Sequence, residues 1–143
     1  MEGTNAWRFR PRIMNEDVRR QWLIDGYWKH YRLSTGSRQE RLDADKWAWA
    51  WDEVEGAVME PSANAFEMLM ALVESAPDDG ALSYIGAGPL EDLINSHGVQ
   101  FAGQIEESAR RVLKFRTVLA HVQLSSNVSA SVRERLARLM PTR

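Results

Sequence analysis

The residues best placed to do chemistry surround a glycine-rich segment, Gly86-Ala-Gly88-Pro89-Leu-Glu91. Two glycines before a predicted helix N-terminus can bring backbone amides close to an anion. The segment is not a dinucleotide fingerprint, because Glu91 replaces the third glycine and no predicted strand precedes it; no lysine follows, as one would in a phosphate-binding loop. Glu91 and Asp92 would also repel a phosphate. We therefore predict a tight helix–helix connection with acidic residues in the first helical turn.

Glu91 and Asp92 are adjacent carboxylates, which general acid–base catalysis can use. Neighbouring positions on a helix point about 100° apart, so the two side chains do not converge on one reacting atom. A desolvated carboxylate can instead accept a bidentate arginine. Binding of a cationic side chain from a partner is therefore the better interpretation of this pair.

The three histidines, His30, His97 and His121, show no metal-site spacing. None has a histidine or carboxylate three or four residues away, and neither H-E-x-x-H nor the nucleophile elbow G-x-S-x-G occurs. We expect no metal, no cofactor and no catalytic residue. A small hydrolase or transferase with an unrecognised site remains an alternative, which requires a deep pocket holding a carboxylate or histidine with a shifted pKa.

Charge is distributed unevenly along the chain. Residues 1–60 have a net charge of −1, residues 61–107 contain eight acids and no lysine or arginine, and residues 108–143 have a net charge of +7. Either the acidic middle packs against the basic tail and both cancel, or the acids form a face that steers a basic partner. Nucleic-acid binding through the tail is disfavoured, because the whole chain has a net charge of −2 and no reader motif.

All six tryptophans lie before residue 52. Trp47 and Trp51 line one predicted helical stripe, and these two residues and Trp22 are expected to be core or half-buried. Trp49 lies about 200° around the helix from Trp47. We therefore expect Trp49 either to pack under the N-terminal arm or to be an exposed anchor for a partner, since tryptophan is enriched at interface hot spots.

The composition restricts the class of protein. With 143 residues, 44% of them apolar, the chain is long enough for one packed domain. The absence of cysteine excludes a disulfide scaffold, a thiolate metal site and a cysteine nucleophile. The longest apolar run, residues 68–73, is too short to cross a bilayer. No apolar signal-peptide core opens the sequence, so we expect a cytoplasmic protein.

Helical periodicity predicts the elements that position these residues. Residues 1–13 are expected to form an arm, and residues 14–143 a single compact all-α domain of six to seven short helices with hairpin or repeat-like packing. The predicted helices cover about 16–31, 42–58, 62–77, 89–98, 101–111, 114–122 and 131–140, with a helical turn at 81–85.

The predicted helix boundaries depend on capping and breaking residues. Ser62 is expected to cap the third helix, and Pro89 to open the next one at its first position. Gly98, after His97, is expected to end that helix, with His97 favouring the negative end of the helix dipole. Ser131 and the following glutamate at 134 have capping-box spacing for the last helix.

Residues 42–122 resemble an uncharacterised family of small bacterial proteins. The matching residues are the tryptophan-rich helix at 47–51, Ala76-Pro77, the stretch Ala-Gly-Pro-Leu-Glu-Asp-Leu-Ile at 87–94, His97-Gly98 and Ala109-Arg110. The resemblance implies an all-helical domain and brings no established activity, so it assigns no catalytic residue. Short proteins of this kind often look like the immunity halves of bacterial toxin–immunity pairs, which is an analogy of type.

Together these patterns predict a non-catalytic protein-binding module. In its most specific form it is an immunity-type inhibitor that covers the working surface of a basic toxin through an acidic face. A homo-oligomeric structural or regulatory subunit, in which the acidic block of one copy meets the basic tail of another, is the alternative. No membrane partner is expected. The predicted partner-binding residues are Trp49, Asp78, Asp79, Glu91 and Asp92.

Overall fold

A computed structural model describes residues 16–140. These residues form helices, turns and loops with no strand among them, so the predicted all-α class is confirmed. The predicted N-terminal arm at residues 1–13 lies outside the described residues. None of the described helices is both long and apolar enough to cross a lipid bilayer.

The chain divides into two compact units, Met1–Val54 and Glu55–Arg143. The predicted single domain over residues 14–143 stays a prediction. A 3₁₀ turn covers Ala44–Trp47 and a π-helical segment covers Gly86–Leu90. The α-helices of the described residues are α1 (Glu16–Ser34), α2 (Arg38–Asp43), α3 (Ala48–Met59), α4 (Ala65–Ser75), α5 (Asp79–Ile85), α6 (Glu91–Arg111), α7 (Leu113–Leu119) and α8 (Ala130–Ala137).

In the first unit, α1 comes very close to the start of α3. A Cβ atom on Gly26 would lie 2.9 Å from Trp49 and 3.0 Å from the Ala50 Cβ. Glycine lowers helix propensity by about 1 kcal/mol relative to alanine. Here the missing side chain makes room for the buried Trp49 ring, and Ile24 and Tyr27 complete this core.

Helix α2 begins at Arg38, four residues before its predicted start. Ser37 and Glu40 form a capping box: the Glu40 amide donates to Ser37 Oγ at 3.2 Å, and the Ser37 amide donates to Glu40 Oε1 at 2.9 Å. The 3₁₀ turn then separates α2 from α3, so the single helix predicted over 42–58 is interrupted.

The core of the second unit surrounds three buried phenylalanines. The Phe66 ring of α4 stacks on Phe101 of α6 with centroids 6.4 Å apart, and meets Phe115 of α7 edge-on at 5.7 Å. The other large side chains that are fully buried in this unit are aliphatic: Leu69, Leu72, Ile85, Leu90, Leu93, Ile94, Ile105, Leu119 and Leu136.

The connection between α5 and α6 is the π-helical segment, which is kinked at Gly88, where φ is −117° and ψ is −106°. A helical backbone resumes at Pro89 after this kink, at the position predicted for the start of a helix. Because proline has no amide hydrogen, it cannot donate to a preceding carbonyl, which favours a bulge in the helix. Gly86 makes the segment's close approach to α7 possible, since a Cβ there would overlap the Val118 carbonyl oxygen.

The helix break predicted at Gly98 falls one residue earlier, at His97, where φ is −140° and ψ is 28°. Helix α6 therefore consists of two helical segments joined by a kink, and the second segment continues to Arg111 from a start before the predicted residue 101. Gly98 is buried, and a Cβ on it would lie 3.1 Å from Val132 Cγ1. The glycine at this kink therefore also allows α8 to pack on α6.

Two predicted caps are also displaced. The N-cap of α8 is Ser129, whose hydroxyl accepts from the Val132 amide at 3.3 Å, so the prediction of Ser131 is wrong. The N-cap of α4 is Asn64, and the Ser62 hydroxyl accepts from the Asn64 amide at 3.2 Å. In both places a serine hydroxyl near the helix start accepts a hydrogen bond from a backbone amide, but the N-cap lies two residues from its predicted position.

Candidate functional site

Two carboxyl groups in the second unit form a hydrogen-bonded pair. Glu55 lies on α3 and Asp92 in the first turn of α6, and both are half-buried. Burial, followed by the hydrogen bond to Asp92 and the charge of Asp92, raises the pKa of Glu55 to about 7. A carboxyl–carboxyl hydrogen bond needs a proton on one of the two groups. Near neutral pH this pair therefore holds a proton for part of the time.

The carboxyl pair has no positively charged partner among the described residues. Neither Glu55 nor Asp92 makes an ion pair with a lysine or arginine there. Two neighbouring carboxylates repel each other, and in the described chain proton uptake by one of them lowers this free energy cost. A cation brought by another molecule would relieve it as well.

Glu91, next to Asp92, holds a loop in place. Its Oε1 accepts from the Gln123 amide at 2.8 Å. One helical turn later, Asn95 accepts from the Ser125 amide at 2.9 Å and donates to the Gln123 carbonyl at 3.1 Å. Glu91 and Asn95 thus clamp the loop between α7 and α8. A charge reversal at Glu91 would disturb this loop as well as any partner contact.

Asp78 and Asp79 lie at the other end of α5 from this pair. The Asp78 carboxylate accepts from the Ala81 amide at 2.8 Å and so caps α5, while Asp79 is exposed in the first turn. The four acids predicted to bind a partner therefore lie at the starts of two different helices, α5 and α6, and Glu55 joins the group at α6.

The acidic and basic blocks neutralise each other only in part. Arg135 on α8 forms a 2.5 Å ion pair with Glu106, and Glu107 pairs with Arg110 at 3.2 Å and Arg111 at 3.4 Å. Hydrogen bonds to these arginines lower the pKa of both glutamates. The pairs lie toward the C-terminal end of α6. The carboxyl pair at its N-terminal end is left without a cation from the described part of the chain.

Trp49 is buried, with 7% of its surface exposed, and Trp51 is 38% exposed. The Trp49 ring meets Trp22 of α1 edge-on at 5.9 Å within the first unit. The role of exposed anchor predicted for Trp49 is therefore not supported by its position. Trp22 and Trp47 are half-buried, within the prediction for them, whereas Trp51 is more exposed than predicted.

His97 stabilises the end of α3. Its Nε2 lies 2.9 Å from the carbonyl oxygen of Met59, the last residue of that helix. His97 was predicted to favour the C-terminal end of its own helix; it lies at the kink within α6 and also contacts the C-terminal end of α3. Glu91, Asp92, His97 and Gly98, which carry the family resemblance, thus connect α6 to α3, to α8 and to the loop before α8.

Other polar groups do not form a recognisable catalytic centre. Ser83 Oγ lies 3.1 Å from His121 Nε2, but no carboxylate in the described part of the chain is hydrogen-bonded to His121. Burial lowers the pKa of His30, whose Nδ1 has no hydrogen-bond partner among the described residues. Over residues 16–140 no group of three histidine, aspartate or glutamate side chains is arranged to hold a metal ion.

Sequence reasoning did not identify Glu55, Asn95 or Trp51. Glu55 directly follows the buried Val54, which is a detectable signal for a carboxylate at a core boundary. Asn95 lies four residues after Glu91, a spacing that places both on one face of a helix. The loop they hold is far away in sequence, so its contact with them had no local signal.

Comparison with known proteins places the chain among proteins of unknown activity. A family model described as a family of unknown function (DUF6869) matches residues 37–142. No curated protein and no solved structure matches the chain.

Proposed function

Since the chain belongs to this family of unknown function, DUF6869, we propose its role from its own residues: it is a non-catalytic module that binds a basic protein partner. The observation that carries the proposal is the pair of half-buried carboxyl groups, Glu55 and Asp92, with no cation paired to them in the described chain. An arginine from a partner would donate hydrogen bonds to both carboxyl groups, because its planar guanidinium presents several N–H donors side by side.

The arriving cation replaces the shared proton. Near neutral pH the pair is only partly ionised, because the pKa of Glu55 is about 7. A guanidinium placed between the groups favours both ionised forms, so its binding lowers that pKa and releases the proton. Asp79, exposed on α5, contributes at longer range by attracting a basic surface during encounter.

In its most specific form the partner is a basic toxin, and this chain is the immunity-type inhibitor that occludes its working surface. The support is the segregation of charge: the carboxyl pair at the start of α6 lacks a cation in the described chain, whereas Glu106 and Glu107 are paired. Charge complementarity of this kind raises association rates and disfavours wrong partners.

The test begins with capture of a partner by the tagged full chain from its native cells at low salt, followed by mass spectrometry. We expect one basic protein in near-stoichiometric amount that is released as salt increases. With the purified partner, Glu55→Gln combined with Asp92→Asn is expected to weaken binding at least about tenfold, since charge pairs of this kind contribute more than about 1.4 kcal/mol. The partner's own activity, measured with and without this chain, tests occlusion.

Glu134→Gln is the matched control, because Glu134 is an exposed acid of the same unit on α8. It should leave the affinity unchanged. Equal affinity for the double variant and the wild type would reject the carboxyl pair as the binding site. Recovery of the tagged chain alone, together with salt-sensitive self-association, would favour the homo-oligomer alternative.

A further inference from the structure

An open groove of about 470 Å³ lies beside the loop that follows α7. Pockets for small organic ligands usually have volumes of about 300–1,000 Å³ and mostly apolar walls. The loop supplies Val122, Gln123 and Leu124 to one side of the groove, and α8 supplies Arg133 and Ala137 to the other. Arg133 and Ala137 are four residues apart and therefore share one face of α8.

The loop side of the groove is held by hydrogen bonds although it has no regular secondary structure. Glu91 and Asn95 bond the backbone of Gln123 and Ser125 from α6, as described above. From the other direction, Arg133 Nη2 donates to the Ser125 carbonyl at 2.5 Å. A ligand would therefore meet a wall that is already formed, which lowers the entropic cost of binding.

The charge of the groove comes from Arg133. In the described C-terminal region the neighbouring arginines have carboxylate partners: Arg135 pairs with Glu106, and Arg138 lies 3.7 Å from Glu134. Arg133 makes no ion pair with any described residue, and its hydrogen bond goes to a carbonyl. A guanidinium has five N–H donors, so most of the donors of Arg133 remain for a ligand.

We propose that this groove binds a small organic carboxylate with an aliphatic body. The carboxylate accepts hydrogen bonds from Arg133 at the edge of the groove, and the aliphatic body lies along Leu124, Ala137 and Met140. The guanidinium of Arg133 selects an anion, and the apolar half of the lining favours a hydrocarbon chain over a compact, highly hydrated ion. This site does not depend on the carboxyl pair or on the proposed protein partner.

Calorimetric titration of the full chain with decanoate, below its micelle concentration, tests the proposal. We expect one saturable site per chain, with acetate at least about tenfold weaker because it lacks the apolar body. Decyltrimethylammonium has the same chain length and the opposite charge, so it should not saturate this site. Asp92→Asn should leave decanoate affinity unchanged, which separates this test from that of protein binding.

Two variants probe the site itself. Arg133→Gln should weaken decanoate binding about tenfold, the effect of losing a charge-assisted bond. Ala137→Trp should abolish binding by filling the groove, and the exposed position of Ala137 allows the substitution without loss of folding. Arg138→Gln, which removes a charge at the C-cap of α8 outside the groove lining, is the matched control and should bind as the wild type does.

The proposal is overturned if decanoate shows no saturable binding, if decyltrimethylammonium binds as tightly, or if decanoate affinity is the same in Ala137→Trp and the wild type. Circular dichroism of each variant confirms that it is folded. If Arg133→Gln disrupts the loop before α8 as well as removing the charge, Ala137→Trp still tests whether the groove binds decanoate, because it leaves the hydrogen bond from Arg133 to Ser125 in place.

Discussion

Glu55 on α3 shares a hydrogen bond with Asp92 on α6, and this contact links folding to pH. The folded chain raises the pKa of Glu55 from 4.5 to about 7, so it binds this proton more tightly than the unfolded chain does. The resulting stabilisation is complete below the unfolded pKa and is lost as pH rises through the folded one. The contribution of Glu55 to stability therefore falls between about pH 4.5 and pH 7.

Glu55→Gln should remove this pH dependence. Glutamine keeps a donor for the Asp92 carboxylate and does not titrate. We expect the variant to be more stable than the wild type above about pH 7 and to have a flatter stability profile between about pH 5 and pH 8. Urea unfolding across that range measures the free energy of unfolding at each pH. Glu134→Gln is the control, and its stability should vary with pH as that of the wild type does. An unchanged slope in Glu55→Gln would show that the pair does not hold the proton.

The two tryptophans of α3 should differ sharply in their effect on stability. Trp49 is buried against α1, so Trp49→Ala should lower the free energy of unfolding by about 3–5 kcal/mol. Trp51 is partly exposed, so Trp51→Ala should cost less than about 1 kcal/mol. Denaturant titrations of the two variants test this. Comparable losses in both would contradict the burial of Trp49 in the core of the first unit.

For single residues, the sequence indicates which side chains are chemically important better than it indicates which residues they contact. The carboxylates of α6 were recognised as chemically important, but their contacts are made with Glu55, Gln123 and the loop at 122–125. These contacts join residues more than 30 positions apart. Helical spacing describes one element at a time, so it carries no information about which distant group comes to meet a side chain.

Two glycines of the second unit, one before α6 and one inside it, have different roles. At Gly86 a Cβ would overlap the backbone oxygen of Val118 and lie 2.9 Å from the His121 side chain. A Cβ on Gly103, in the interior of α6, would have no atom within 4 Å outside the backbone of its own helix. Gly86 is thus required by packing, while Gly103 only lowers the helix propensity of α6.

Alanine at these glycines should therefore act in opposite directions. Gly86→Ala should destabilise the second unit, by about 1–3 kcal/mol, because α7 must move away from the segment. Gly103→Ala should stabilise the chain by about 0.5–1 kcal/mol, the propensity gain of an open helical site. Thermal unfolding of both variants provides the measurement. Tolerance of alanine at Gly86 would contradict the close approach of α7.

Among the elements, strongly periodic helices were more predictable than the exact positions of their junctions. The helices predicted over 62–77 and 114–122 correspond to α4 and α7. Gly98 has the residue type of a helix stop, and the backbone is kinked one residue before it, at His97, while the glycine itself is buried against Val132. One sequence does not distinguish a glycine that ends a helix from a glycine that also permits close packing.

For the whole molecule, the distribution of charge is the feature that sequence and structure share. The basic tail neutralises Glu106 and Glu107 near the C-terminal end of α6. The carboxyl pair, Asp79 and Arg133 make no ion pair among the described residues. The net charge of −2 thus does not reveal which charged groups are paired and which are not. The all-α class was predictable from periodicity, whereas the division of charge required the fold.

The central claim, that a cation of a basic partner replaces the proton of the carboxyl pair, makes a direct thermodynamic prediction. With the captured partner, binding enthalpy is measured at pH 7 by calorimetry in buffers of different ionisation enthalpy, which reports the protons exchanged. Since the pKa of Glu55 is about 7, we expect release of up to about half a proton per complex. Glu55→Gln should release none, and Glu134→Gln should match the wild type. Binding that releases no proton in the wild type would contradict the claim.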